Sequence, residues 1–123
     1  MVVGLSPAAS AHPLGNATVN HYDHDGLHLY TDHITDLAVE DVSEIPTLQR
    51  KNQVDTDGTG SVSDAERSAY AAKQCSSLAA TNKIGVNGAR LTLTVAGSDY
   101  TERPGVIALV VGRLVCDLVA RLI

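Results

Sequence analysis

From residue 106 to 123 the chain reads Val-Ile-Ala-Leu-Val-Val-Gly-Arg-Leu-Val-Cys-Asp-Leu-Val-Ala-Arg-Leu-Ile, its most apolar stretch, interrupted only by Arg113, Asp117 and Arg121. A spacing of four puts those charges on one face of a helix, but four is also even, so it puts them on one face of a strand. The density of Val favours the strand. In that strand Val110, Gly112, Leu114, Cys116, Leu118, Ala120 and Leu122 point inward and the three charges point out. An amphipathic helix is the rival, and three charges in about 18 residues argue against a membrane span.

Turn signals divide the remainder. Ala17 to Tyr22 and Leu27 to Tyr30 are short β-prone runs around Asp23-His24-Asp25-Gly26, which reads as a hairpin turn. His33 to Val42 reads as a third strand. Ser43-Glu44-Ile45-Pro46 reads as a helix start, since proline is tolerated in a first turn, and Ile45 and Leu48 follow at i, i+3. A second helix is expected from about Ser63 to Ala79, opened by the capping-box pair Ser63 and Glu66 and carrying Ala65, Ala69, Ala72, Cys75 and Leu78 toward the core. Ile84 to Val86 and Leu91 to Val95 then flank Asn87-Gly88, whose residues tolerate positive φ, the strongest two-residue hairpin signal. Strands, two helices and more strands make an α+β fold with a mainly antiparallel sheet.

Composition narrows the function classes. A chain of 123 residues holds one domain. Its net charge is −5, and no basic run or aromatic-basic interleaving tracks a phosphate backbone, so nucleic acid is not an expected partner. With no Phe and no Trp, the core must be built from aliphatic side chains and Ala. The first eleven residues are small and apolar and end in Ala9-Ser10-Ala11, a signal-peptidase-like sequence; residues 1–11 therefore read as a leader remnant or a disordered tail, ahead of an extracytoplasmic domain over 12–123. Cys75 and Cys116, both at core-facing positions, would pair in an exported protein, and two buried free thiols are the alternative.

The sharpest chemical signal is the stretch from Asp55 to Glu66 between the two expected helices. It matches the twelve-residue EF-hand calcium loop: Asp55, Asp57 and Thr59 stand at positions one, three and five, Gly60 at the turn in position six, Ser61 at seven, Ser63 at nine and Glu66 at twelve. All are hard oxygen donors, as calcium requires. Thr59 replaces the usual carboxylate or amide and leaves three carboxylates, so a weak site is expected, with a Kd of ~0.1 to 1 mM. No second loop of this kind is present, so Val62 at position eight must pack on the sheet rather than on a paired loop.

All five histidines, His12, His21, His24, His28 and His33, fall in the first third of the chain among Asp23, Asp25 and Asp32. Neutral imidazole is a common ligand for nickel, cobalt and copper. If processing makes His12 the N-terminus, its amine and ring can chelate one ion together with His21, His24 or His28. The bland reading is a solvated polar surface. No CxxC or HExxH accompanies the histidines, and no nucleophile, base and orienting group assemble from Ser, His and Asp, so an enzyme is not expected.

Four blocks in order, Ala11-His12-Pro13-Leu14-Gly15-Asn16-Ala17-Thr18-Val19-Asn20, Glu44-Ile45-Pro46, Val54-Asp55-Thr56-Asp57-Gly58 with Ala65-Glu66-Arg67, and Arg113-Leu114-Val115-Cys116, carry a resemblance. Together they resemble the extracytoplasmic N-terminal domain of bacterial high-affinity nickel/cobalt-type transporters. The resemblance implies a secreted or membrane-tethered domain beginning at His12, accessory to a membrane metal transporter, and a strand for the C-terminal run. His24 and His28 have no counterpart in it. A free-standing secreted calcium-binding or protein-interaction module is the alternative function.

Overall fold

The structure, a computed structural model, describes residues 17–122. The expected leader remnant over residues 1–11 and His12 lie outside the described residues. The chain is α+β. β1 (Val19–Leu29), β2 (His33–Val42), β5 (Leu93–Pro104) and β6 (Val110–Arg121) form an antiparallel sheet in the order β1-β2-β6-β5. The helices α1 (Glu44–Gln49), α2 (Lys51–Val54) and α3 (Asp64–Thr81) come between β2 and a small hairpin, β3 (Ile84–Val86) with β4 (Ala89–Leu91).

The C-terminal run is a strand, and its alternation is close to the expected one. Gly112, Leu114, Cys116, Leu118 and Ala120 are buried, while Arg113, Asp117 and Arg121 are exposed; of the expected inward row, Leu122 is only half-buried and Val110, at the start of the strand, is exposed. Residues 106–109 form a turn instead of extending the strand. Its central residues Ile107 and Ala108 have φ of 55° and 60°, a left-handed conformation that no sequence signal announces in such side chains.

The inner sheet face is covered by α3. Tyr70, Ala71, Cys75 and Ala79 of the helix meet Ile34 and Ala38 of β2, Leu93 and Tyr100 of β5 and the buried row of β6 in one core cluster. The core-facing stripe of α3 is not the expected alanine one. Ala65, Ala69 and Ala72 are exposed rather than core, whereas Glu66, Tyr70, Ala71, Cys75 and Ala79 are buried and Leu78 is half-buried. Choosing the larger Tyr70 rotates the helix, because its ring removes far more apolar surface from water than an alanine methyl. That ring packs edge-on against Tyr100, centroids 4.7 Å apart. Tyr100 in turn needs Gly112 beneath it, where an added Cβ would lie 2.6 Å from the phenol oxygen. The cysteines pair across this interface, Cys75 of α3 to Cys116 of β6, with Cα atoms 5.4 Å apart.

The hairpin expected at Asp23-His24-Asp25-Gly26 is instead a bulge within one strand. Asp23 pairs with Ala38 and Leu27 with Asp36, so residues 24–26 loop out opposite Leu37. Asp25 and Gly26 have φ of 59° and 73°, as the turn signal demands, but the backbone uses them for a kink, and the chain reverses after Leu29. There the Tyr30 N–H bonds the His33 carbonyl at 2.8 Å and the two rings stack. The expected hairpin at Asn87-Gly88 forms, with φ of 51° and 82°.

The short helix after Ser43 buries its polar side. Glu44 and Thr47 are buried, while Ile45 and Leu48 are exposed, because polar groups at the sheet end need partners. Glu44 accepts the Val106 N–H at 3.0 Å, and Thr47 donates to the Ser43 carbonyl at 2.8 Å.

Candidate metal site

The acidic loop runs from the end of α2 to the first turn of α3. Val54, 1% exposed, anchors its start, and Val62 packs against the core near its end, as expected for a loop without a paired partner loop. Gly58 and Gly60 have φ of 70° and 88°, which lets the chain fold back on itself. Asp55, at the C-terminus of α2, is buried and accepts the backbone N–H of Gly60 at 2.7 Å and of Thr59 at 3.2 Å. Thr59 N–H also lies 3.1 Å from Asp57 Oδ1. The hydroxyl of Thr59 donates to the Ser61 carbonyl at 3.0 Å and lies 3.5 Å from Asp55 Oδ1, so both oxygens face the same interior.

Glu66 arrives from the helix side. Its Oε1 accepts the Ser63 N–H at 2.9 Å, its Oε2 the Asp57 N–H at 3.1 Å, and Ser63 Oγ accepts the Glu66 N–H at 3.1 Å, which completes the capping box read from the sequence. The Ser63 N–H, and then that of Asp57, holds the Glu66 carboxyl below the usual carboxylate range, so it is ionised at neutral pH. The carboxylate oxygens of Asp55, Asp57 and Glu66 lie within 4.8 Å of one another, the one group of three metal-type ligands among the described residues. Three anions at this separation repel one another, and a hard divalent cation at their centre removes that repulsion.

The histidines do not converge. His21 sits opposite Glu40 on the inner sheet face, and its Nε2 lies 2.7 Å from Glu40 Oε2. His24 is in the bulge beside Asp25 at 3.4 Å. His28 sits opposite Thr35, next along the strand from Leu27, which shares the inner face with Asp36, so His28 points to the other side. His33 is held by Asp32 at 2.6 Å.

Sequence reasoning missed the buried acids of β2. Glu40 is 6% exposed and bridged by Arg50 at 2.9 Å as well as by His21. Asp36 is 3% exposed; burial, and then the Asp23 carboxyl within hydrogen-bonding reach, push its pKa up to about 7. In His33-Ile-Thr-Asp-Leu-Ala-Val-Glu-Asp-Val42 both alternate sets mix polar with apolar residues, so no period-2 signal marks these acids as inward.

No family model, curated protein or solved structure matches the chain, so the functional reading stands on the loop's own geometry and on the sequence. Among the described residues no helix is long and apolar enough to cross a membrane.

Proposed function

We propose that this chain is a non-enzymatic extracytoplasmic domain that binds one calcium ion in an EF-hand-like loop, Asp55 to Glu66, and serves as an accessory to a nickel/cobalt-type transporter. The observation that carries the calcium reading is the meeting of the Asp55, Asp57 and Glu66 carboxylates within 4.8 Å, on a loop whose donors are all hard oxygens. Asp55, Asp57 and Glu66 supply the charge, with Glu66 binding through both oxygens; Thr59 and the Ser61 carbonyl complete the set, and Ser63 caps the following helix. At millimolar calcium a Kd of ~0.1 to 1 mM contributes about 0.4 to 1.4 kcal/mol of stability by mass action. That size suits a structural clip holding the start of α3 to the end of α2. The Cys75–Cys116 bond supports an oxidising, extracytoplasmic compartment. The transporter role rests on the sequence resemblance.

Calorimetric titration tests the site. Calcium binds the parent chain with submillimolar to millimolar affinity, Asp55→Ala abolishes binding, and Thr59→Asp tightens it by adding a fourth carboxylate. Unchanged affinity in Asp55→Ala removes the assignment.

The spread of His21, His24 and His28 favours a second reading, a free-standing secreted calcium-binding or interaction module with no transition-metal role. Nickel, cobalt and copper titrations of chains beginning at Met1 and at His12 separate the two. A tighter site in the chain beginning at His12 supports the transporter reading, through a chelate of its amine and ring, and no binding by either chain supports the second.

A further inference from the structure

Away from the calcium loop, a cleft of about 540 Å³ opens between the β1–β2 hairpin and the end of α3. Its walls include the apolar side chains of Leu27, Leu78 and Ile84, and its polar floor is the carboxyl pair Asp23 and Asp36. The two acids on the inner face of β2 differ sharply. Glu40 is paired with Arg50 and hydrogen-bonded to His21, whereas among the described residues Asp36 makes no ion pair and its Oδ1 meets no hydrogen-bond donor. Two carboxyls in this position either share a proton or need a cation from outside. The end of α3 adds to the same demand: its last turn carries no basic residue, and the negative end of an 18-residue helix lies beside the cleft with only Lys83, two residues beyond it, near enough to offset it. Lys83 lines the cleft without forming an ion pair to either acid.

We propose that this cleft binds a primary aliphatic amine, with the ammonium on Asp36 and Asp23 and the alkyl stem along Leu27, Leu78 and Ile84. A bare metal ion fits less well. His21 lines the same cleft, but among the described residues no third metal-type ligand converges on the pair, and the apolar part of the wall, Leu27, Leu78 and Ile84, has nothing to offer a hydrated ion. An ammonium carries three donors for carboxylate oxygens, and a stem of about four or five carbons covers the wall. The upward shift of Asp36 agrees with this, since the bound cation takes the place of the shared proton. Free amines and the side chain of a lysine in a peptide share this chemistry.

The test is an NMR titration of the whole oxidised chain at pH 8, stripped of calcium and then freed of chelator, so that failure leaves the calcium loop untouched. The probes are n-pentylamine, N-acetyl-lysine methylamide, 1-pentanol and nickel chloride. Saturable shifts at Asp23, Asp36, Leu78 and Thr81 with n-pentylamine, absent with 1-pentanol and weakened at least tenfold in both Asp36→Asn and Asp23→Asn, support the site. Equal or tighter binding of the lysine derivative identifies a peptide lysine as the source, and weaker binding a free amine. Lys83→Gln binds more tightly, having lost a competing cation. The proposal is overturned if n-pentylamine gives no saturable shift, if 1-pentanol binds equally, if both Asn variants bind as the parent does, or if nickel moves these signals in the parent and in neither Asn variant.

Discussion

Replacing Asp36 with Asn removes one ionisable oxygen and leaves the side-chain shape. Burial and the Asp23 carboxyl raise the folded-state pKa of Asp36 from 3.8 to about 7. Between those two values the folded protein holds a proton that the unfolded chain has released, so stability falls as pH rises through that window and the loss is complete above the folded pKa. A shift of that size has a ceiling of ~4 kcal/mol at about 1.36 kcal/mol per unit. Because Asp23 shares the proton and the surroundings relax, about 2 kcal/mol is the expected loss between pH 5 and pH 8. The amide of Asp36→Asn neither gains nor loses a proton, so the variant's profile lacks this slope, and at pH 8 it is more stable than the parent by about the same amount. Glu66 and Asp32 have lowered folded-state values; what they contribute is lost only as pH falls through those values, below this window. Urea unfolding of both chains from pH 5 to 8, in EDTA, gives two curves whose difference isolates Asp36. Parallel curves refute the reasoning, and so does an Asn variant less stable than the parent at pH 8.

Unfolding the unreduced protein exposes no free thiol, and Cys75→Ala with Cys116→Ala costs about 4 kcal/mol by chain entropy for a 41-residue separation, measured by urea unfolding. Gly112→Ala brings a methyl to 2.6 Å from the Tyr100 hydroxyl and displaces a buried ring, so a loss of roughly 1–3 kcal/mol is expected in the same assay. Adding millimolar calcium to the metal-free chain raises the thermal midpoint by several degrees, about what 1 kcal/mol gives for a domain of roughly a hundred residues, and leaves Asp55→Ala unmoved.

Local chemistry with few competing uses was legible in the sequence. Asn87-Gly88, the Ser63 and Glu66 capping box and the Val-rich strand ending at Arg121 each have one low-energy conformation that neighbouring structure does not contest. Asp23-His24-Asp25-Gly26 shows the limit. Its residues do enter the left-handed region, but turn and bulge share that requirement, and pairing with β2 on both sides decides between them. The buried face of α3 differs from the expected one because Ala65, Ala69, Ala71, Ala72 and Ala79 offer several weak stripes, and the contact between Tyr70 and Tyr100 selects one. The acids of β2 had no legible signal. What places Asp36 and Glu40 inward is the pairing of β2 with β6, which sets Asp36 opposite Leu118 and Glu40 opposite Leu114, partners too distant along the chain for any local pattern to announce.

The acidic loop, proposed to bind calcium, and the disulfide act on the same helix at different scales. The Cys75–Cys116 bond fixes the middle of α3 to the centre of the sheet, and its ~4 kcal/mol stabilises the whole fold. The loop governs only the first turn, where Asp55, Asp57 and Glu66 are already drawn together by the N–H groups of Asp57, Thr59, Gly60 and Ser63. Such preorganisation lowers the ordering entropy of binding, while the short supply of charge keeps affinity low. On the proposed reading, the site responds to calcium near its concentration outside the cell and changes little beyond its own loop. If the domain serves a metal transporter, calcium therefore sets the shape of the surface around Val62 and the start of α3, and the transported ion must meet other residues.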